Sequence, residues 1–306
     1  MVKLQAQIEE IRDRLADRSA ERRYAALKEV AGPDVVAALR ERLLTICRGD
    51  GWGPNRSEAA RALAFLWPDP EVQDAYRLCL DAEPYVANTV VELLGARLDG
   101  AARTLLSESY QRAQNAKTRY SILQAFCTTS LAVTVDFVRS VASHRDEDER
   151  VRALSLSLLS RSNDPALKDV FVAGLTDGSQ RVRATAIEAL SAICGPEELL
   201  RLLPPYLEDA NNRVRANAIV ALLRTGYRVA EAALREMVHH TSQLFRSSAA
   251  WVLGELGPDA PVVLELDSLA QDRDPVVRER ARASAQRLAL RLSLADISRS
   301  SQPVGA

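Results

Sequence analysis

The chain has 306 residues, 47 % of them apolar and 26 % charged, with 40 basic side chains against 41 acidic. That apolar content excludes a disordered chain, and a pI near 6.4 excludes a globally basic nucleic-acid binder. Aromatics at 5 % and only 13 glycines and 13 prolines argue against reading the length as two ordinary globular domains.

Met1–Gln5 leads into an amphipathic charged segment instead of a signal peptide. Leu4, Ile8, Ile11 and Leu15, with a polar opposite face, predict a capping helix. Beyond it a short string recurs: Arg-Val-Arg-Ala begins at Arg150, Arg181 and Arg213, and Phe245-Arg246 and Val277-Arg278 continue it. Taking the second arginine as an anchor places anchors at Arg23, Arg56, Ala87, Arg119, Arg152, Arg183, Arg215, Arg246 and Arg278. Their spacings are 33, 31, 32, 33, 31, 32, 31 and 32, so nine units cover nearly the whole chain.

Seven residues after each anchor stands an apolar residue: Val30, Leu63, Leu94, Phe126, Leu159, Leu190, Leu222, Leu253 and Ala285. With the small or aliphatic residues at three and four, this marks one face of a helix. Four residues before the anchor come Ser19, Trp52, Glu83, Asn115, Asp148, Ser179, Asn211, Ser242 and Asp274. Seven of these nine are residues whose side chains accept from the free amides of a first helical turn. Pro84 and Pro275 follow the cap position directly, where a missing N–H costs nothing.

A less regular helix precedes each cap, as at Val35–Cys47, Ala101–Arg112, Ala166–Leu175 and Val229–Val238. Strand signals are absent. A lone helix pair cannot bury its apolar stripe, so stacked neighbours must supply one continuous core. The expected fold is an all-α, right-handed α-solenoid of about nine helix pairs, a single domain over 1–296 with a disordered tail at 297–306.

The pattern Asp-x5-Arg-x2-Ala-x3-Leu, strongest from Asp146 to Ala285, resembles the HEAT-repeat family, in particular the short bacterial repeats also seen in phycobilin lyases. The resemblance covers residues 10–290. It implies stacked helix pairs and a scaffold or adaptor binding another protein. The same family holds lyases and a DNA glycosylase branch, so a phycobilin lyase-like subunit and a nucleic-acid-binding protein are the alternatives.

Six residues before the anchors runs a nearly acidic column: Asp17, Asp50, Asp81, Ala113, Asp146, Asp177, Asp209, His240 and Asp272. An arginine in a core-facing stripe needs a partner. The column therefore predicts a structural ladder of Asp81, Arg119, Asp146, Arg152, Asp177, Arg183, Asp209, Arg215, Asp272 and Arg278. Asp81 lacks an arginine in its own repeat and Arg119 lacks an aspartate, so the two are expected to pair. His240 does not fit the scheme.

No catalytic or cofactor motif occurs, and neither enzymatic activity nor a cofactor is expected. Cys47, Cys79, Cys127 and Cys194 form no C-x-x-C pair, and His239-His240 points two ways round a helix, so no metal site is expected. The cysteines read as reduced core thiols of a cytoplasmic protein, and no apolar stretch reaches the eighteen residues of a membrane span.

Two surfaces stand out for a partner. If the second helices line a concave face, as the resemblance implies, Trp251 projects from it beside Val220, Arg224 and Glu255, an aromatic and arginine set suited to a protein partner. Two residues before the anchor, Lys117, Arg150, Arg181 and Arg213 occupy successive first turns. They predict a basic ridge for an anionic partner, an acidic protein or a nucleic acid. A third candidate is the loop Asp50–Asn55, which with Phe65 and Trp67 either covers the N-terminal end or forms a binding knob.

Overall fold

The computed structural model describes residues 2–126, 134–256 and 265–300. Among them are nineteen α-helices and no strand. The chain divides into two compact units, residues 1–158 and 159–306.

The first unit begins with α1 (Val2–Arg14), packed on α2 (Ala20–Glu29). Ile8, Ile11 and Leu15 are buried while Leu4 is exposed, so one face of α1 closes the unit's end. The expected helix over 35–47 is broken at Leu39 into α3 (Pro33–Ala38) and α4 (Arg40–Gly49), which precede α5 (Gly53–Leu63). Next come α6 (Pro70–Leu80) with α7 (Pro84–Arg97) and α8 (Gly100–Arg112) with α9 (Ala116–Ala125). α10 (Val135–Ser143) and all but the last two residues of α11 (Glu149–Ser160) complete the unit. Trp67 is buried, stacked on Tyr76 with its indole N–H donating to Asp99 at 2.7 Å. Trp52 is half-exposed and meets Tyr24 edge-on, while Phe65 is exposed.

The second unit pairs α12 (Lys168–Leu175) with α13 (Gln180–Ile193), and α14 (Pro196–Leu202) with α15 (Asn212–Arg224). It continues with α16 (Val229–Val238) and α17 (Gln243–Leu256), then α18 (Glu265–Leu269) and α19 (Pro275–Ser300). α14 stops early because Pro204 and Pro205 remove two helical donors, and a 3-10 turn over Pro204–Glu208 takes its place. Residues 297–300, placed in the tail by the sequence pattern, are helical; 301–306 lie outside the described residues, as does Cys127.

The repeat columns explain both packing and helix starts. The seven-after column is buried in eight of its nine positions, Ala285 being the half-buried exception. Seven cap residues accept from first-turn amides: Ser19, Asn115, Asp148, Ser179, Asn211, Ser242 and Asp274. Trp52 and Glu83 do not; Pro54 and Pro84 stand in the first turns they precede, removing a donor that would need a cap. Small residues leave no room for a side chain between some second helices. A Cβ at Gly254 of α17 would lie 2.7 Å from the Cβ of Ser284 in α19.

Candidate protein-interaction surface

The anchor arginines point from the second helices into the turns, where an anchor guanidinium can draw on two sets of partners. From its own repeat it takes turn carbonyls. Arg23 donates to Asp17 and Arg18 at 2.8 and 3.0 Å, Arg183 to Asp177 and Gly178 at 3.0 and 3.1 Å, and Arg278 to Asp272 and Arg273 at 2.7 and 2.9 Å. From the following repeat it takes a carboxylate: Asp50 for Arg23 at 2.7 Å, Asp209 for Arg183 at 2.9 and 3.0 Å, and Asp272 for Arg246 at 2.7 and 3.0 Å. The carboxylates of Asp50, Asp209 and Asp272 therefore serve the arginine of the repeat before, while the arginine of their own repeat takes backbone carbonyls. Each also accepts from the amide two residues on, as Asp209 does from Asn211 and Asp272 from Asp274, both at 2.8 Å. These bonds are charge-assisted and, for Arg183 and Arg246, bidentate.

The hydrogen bond from Arg246 holds Asp272 below the ordinary carboxylate range, and Asp272 raises Arg246 in turn. Burial opposes ionisation of Asp50, but Arg23, the Trp52 amide and Asn55 outweigh it, and its pKa is lowered.

The expected pairing of Asp81 with Arg119 is replaced by two others. Asp81 lies 3.5 Å from Arg112, and Arg119 reaches forward to Glu147 at 2.9 Å. The reason is the same inter-repeat rule: Arg119 needs a carboxylate from the next turn, and its own repeat need supply only the carbonyl of Ala113, at 2.9 Å. Glu147, not the exposed Asp146, provides that carboxylate from a buried position. Tyr110 also donates to it at 2.6 Å. Burial works against the Glu147 charge, but Tyr110, the Asp148 amide and Arg119 together hold its pKa down. Arg152 donates to the carbonyls of Arg145 and Glu147, and Asp177 accepts from the Ser179 amide. Arg56 has a looser arrangement, with Glu83 at 3.5 Å and the Cys79 sulfur at 4.0 Å. That sulfur lies 3.4 Å from Cys47 in a fully buried pair.

His240 fills the aspartate's place in its own turn. Its carbonyl accepts from Arg246 at 2.8 Å, and its Nδ1 accepts from the Ser242 amide at 3.0 Å, so it completes its own turn as an aspartate would. It cannot offer a carboxylate to the preceding anchor. Arg215 instead donates to the Asp209 carbonyl at 3.2 Å, lies 5.1 Å from the Phe245 ring, and has Glu236 at 4.0 Å. His240 stacks on that same ring at 4.1 Å.

The second helices of unit 2 bring together residues from both expected surfaces. Trp251 of α17 is half-buried and lines a groove of about 550 Å³ with Arg213, Leu244, Val276 and Arg280. Val220, expected beside it on the outward side, is buried at 6 % exposure, because α15 is packed between α13 and α17. It is not a contact residue. Arg224 is exposed and lies 3.7 Å from Glu255, on which Arg287 and Arg291 also converge at 3.9 and 3.5 Å. Lys117, Arg150, Arg181 and Arg213 are all exposed, and none makes an ion pair among the described residues. Lys117 and Arg150 belong to the first unit, Arg181 and Arg213 to the second.

Sequence reasoning missed Leu244 and Val276, exposed at 59 % and 55 %. They continue the column of Lys117, Arg150, Arg181 and Arg213 by two repeats. Apolar residues in a solvent-facing column are the signal that would have found them.

Residues 135–204 and 199–286 match the family model described as HEAT repeats. The chain is a HEAT-repeat protein with an α-solenoid fold. No curated protein matches it. Among solved structures it is similar to Escherichia coli YibA, at 17 % identity and a TM-score of 0.51, over 89 % of this chain and 98 % of that one. It is also similar to the karyopherin Kap121p in a complex with the SUMO protease Ulp1p, at 14 % identity and a TM-score of 0.53, over 92 % of this chain and 37 % of that one. Kap95 in a complex with Nup1 matches at 12 % identity and a TM-score of 0.54, over 92 % and 49 % respectively. The chain thus spans less than half of either karyopherin. At these identities the likeness establishes fold. No described helix is long and apolar enough to cross a membrane.

Proposed function

We propose that the chain is a non-catalytic protein-interaction scaffold whose docking surface is the second-helix face of unit 2. The observation that carries this reading is the groove around Trp251. A half-buried indole shares the groove with two exposed aliphatic side chains, Leu244 and Val276, and with Arg213 and Arg280. Tryptophan and arginine are among the residue types that dominate association energy. Repeat proteins also present side chains from successive helices as one extended surface. The repeat register runs unbroken in sequence through residue 158, and on this reading both units belong to one run of repeats. Two of the similar structures are themselves complexes with protein partners.

The test places a photo-crosslinking amino acid at Ser248, which lines the groove, and at Ala173 on the exposed side of α12. In cells, Ser248 should yield a discrete crosslinked protein that Ala173 does not. Trp251→Ala should reduce that yield by about tenfold, the effect of losing roughly 1.4 kcal/mol of binding, without changing the melting temperature. Equal crosslinking from both positions, or a melting temperature that collapses in Trp251→Ala, would remove the groove from consideration.

A further inference from the structure

We infer that the segment docked in this groove is an acidic stretch of polypeptide with carboxylates on both sides of an apolar side chain. The inference rests on the scaffold reading and deepens it by naming the partner's chemistry. Arg213 and Arg280 line the groove beside Trp251, and neither has an ion-pair partner among the described residues. The acid that shares their groove, Glu188, already accepts from the Asn217 amide at 2.7 Å. A second hollow of about 540 Å³ shares Val276 and Arg280 with the first and adds Glu279 and Arg287. Beyond Trp251 on α17, Glu255 is outnumbered by Arg224, Arg287 and Arg291, all within 3.9 Å. The buried Nε of Arg287 has no hydrogen-bond partner. On this face five arginines (213, 224, 280, 287, 291) therefore stand against three carboxylates (188, 255, 279). The chain as a whole carries −1, so the excess is local.

Position matters as much as sign. The arginines flank Trp251, Leu244 and Val276 instead of forming a separate patch, so one ligand must satisfy guanidinium groups and cover apolar side chains together. A nucleic acid satisfies only the first demand. Its phosphates would sit against exposed Leu244 and Val276, and a single half-buried indole offers no series of rings for base stacking. Three helices at about 10 Å spacing span about 20 Å, the reach of about six extended residues. An extended acidic segment of that length meets both demands.

The experiment is selection from a random twelve-residue peptide phage library on the intact chain, on Trp251→Ala and on the charge-reversal variant Arg213→Glu/Arg280→Glu. Both arginines are exposed and unpaired, so the reversal should fold, which circular dichroism checks. The wild-type pool should enrich Asp and Glu beside Leu, Ile or Phe, and the selected peptides, once synthesised, should bind the reversal variant at least about tenfold more weakly. The reversal variant's own pool should lose the acidic bias. A wild-type pool enriched without acidic bias, or peptides bound equally by both forms, overturns the inference and leaves the scaffold reading standing. Tighter binding of a twenty-nucleotide single-stranded DNA than of every selected peptide overturns it in favour of the other polyanion. No enrichment at all, or enrichment indifferent to Trp251→Ala, strikes at the scaffold reading itself.

Discussion

Two joints in unit 2 are built on the same register, one with an aspartate and the other with a histidine at the column position. At the joint between α17 and the turn before α19, Arg246 grips Asp272 through two bonds of 2.7 and 3.0 Å, and both side chains are less than a tenth exposed. At the joint between α15 and the turn before α17, the column residue is His240, and Arg215 settles over Phe245, the ring on which His240 stacks. The local turn is intact in both, since Asp272 and His240 each accept from the amide two residues on. What differs is the link to the preceding repeat. The column residue thus has two separable tasks: closing its own turn and tying down its neighbour's arginine.

The largest effect that would sharpen this contrast comes from Asp272→Ala. It strands a buried guanidinium, and losing one partner of such a pair costs about 3 kcal/mol. His240→Ala loses a turn acceptor and a ring contact, at a cost of about 1 kcal/mol. Denaturant unfolding of both variants, with hydrogen exchange to localise the change, checks the ranking. Equal losses would mean that the arginine–carboxylate grip adds nothing to the joint.

Acid should separate the joints next. Because Arg246 lowers the pKa of Asp272, this carboxylate contributes stability that is fully present above its unfolded value, near 3.9, and disappears as pH falls through the lower folded value. The gap between wild type and Asp272→Asn should therefore be widest at neutral pH and close below about pH 4. A gap independent of pH would assign the effect to packing.

How much of this could be read in advance follows from which forces are local. Helix starts and the buried stripe were legible because capping and burial act within one helix: Ser179 and Asn211 cap, and Leu190 and Leu222 are buried, for reasons their own turns contain. The aspartate column was visible too. Its direction of pairing was not, because spacing alone cannot distinguish an arginine's own turn from the next one 26 residues on, where Arg183 finds Asp209. Glu147 was hidden for the same reason, being one residue off the column and held by Tyr110 and Arg119 from the repeat before. The groove needed three helices at once. Val220 and Trp251 share a column position, yet one is buried and the other lines the surface, a difference that side-chain size and neighbouring helices decide.

The smallest effect is also the most direct trial of the two-task account. His240→Asp should keep the turn, because a carboxylate oxygen can accept from Ser242 as Asp272 accepts from Asp274. It should also give Arg215 the grip that Arg183 and Arg246 enjoy. Against a charge-assisted pair worth about 1.5–3 kcal/mol stands the lost stacking on Phe245, about 0.5–1.5 kcal/mol, so a net gain of about 1 kcal/mol is expected. The gain must run through Arg215: in an Arg215→Ala background the same substitution should lose its benefit, since a lone aspartate at this half-buried turn has no guanidinium to meet. Should the stabilisation survive without Arg215, the column would be acting on its own turn alone, and the neighbour-to-neighbour tie seen at Arg246 and Asp272 would be a contact without energetic consequence.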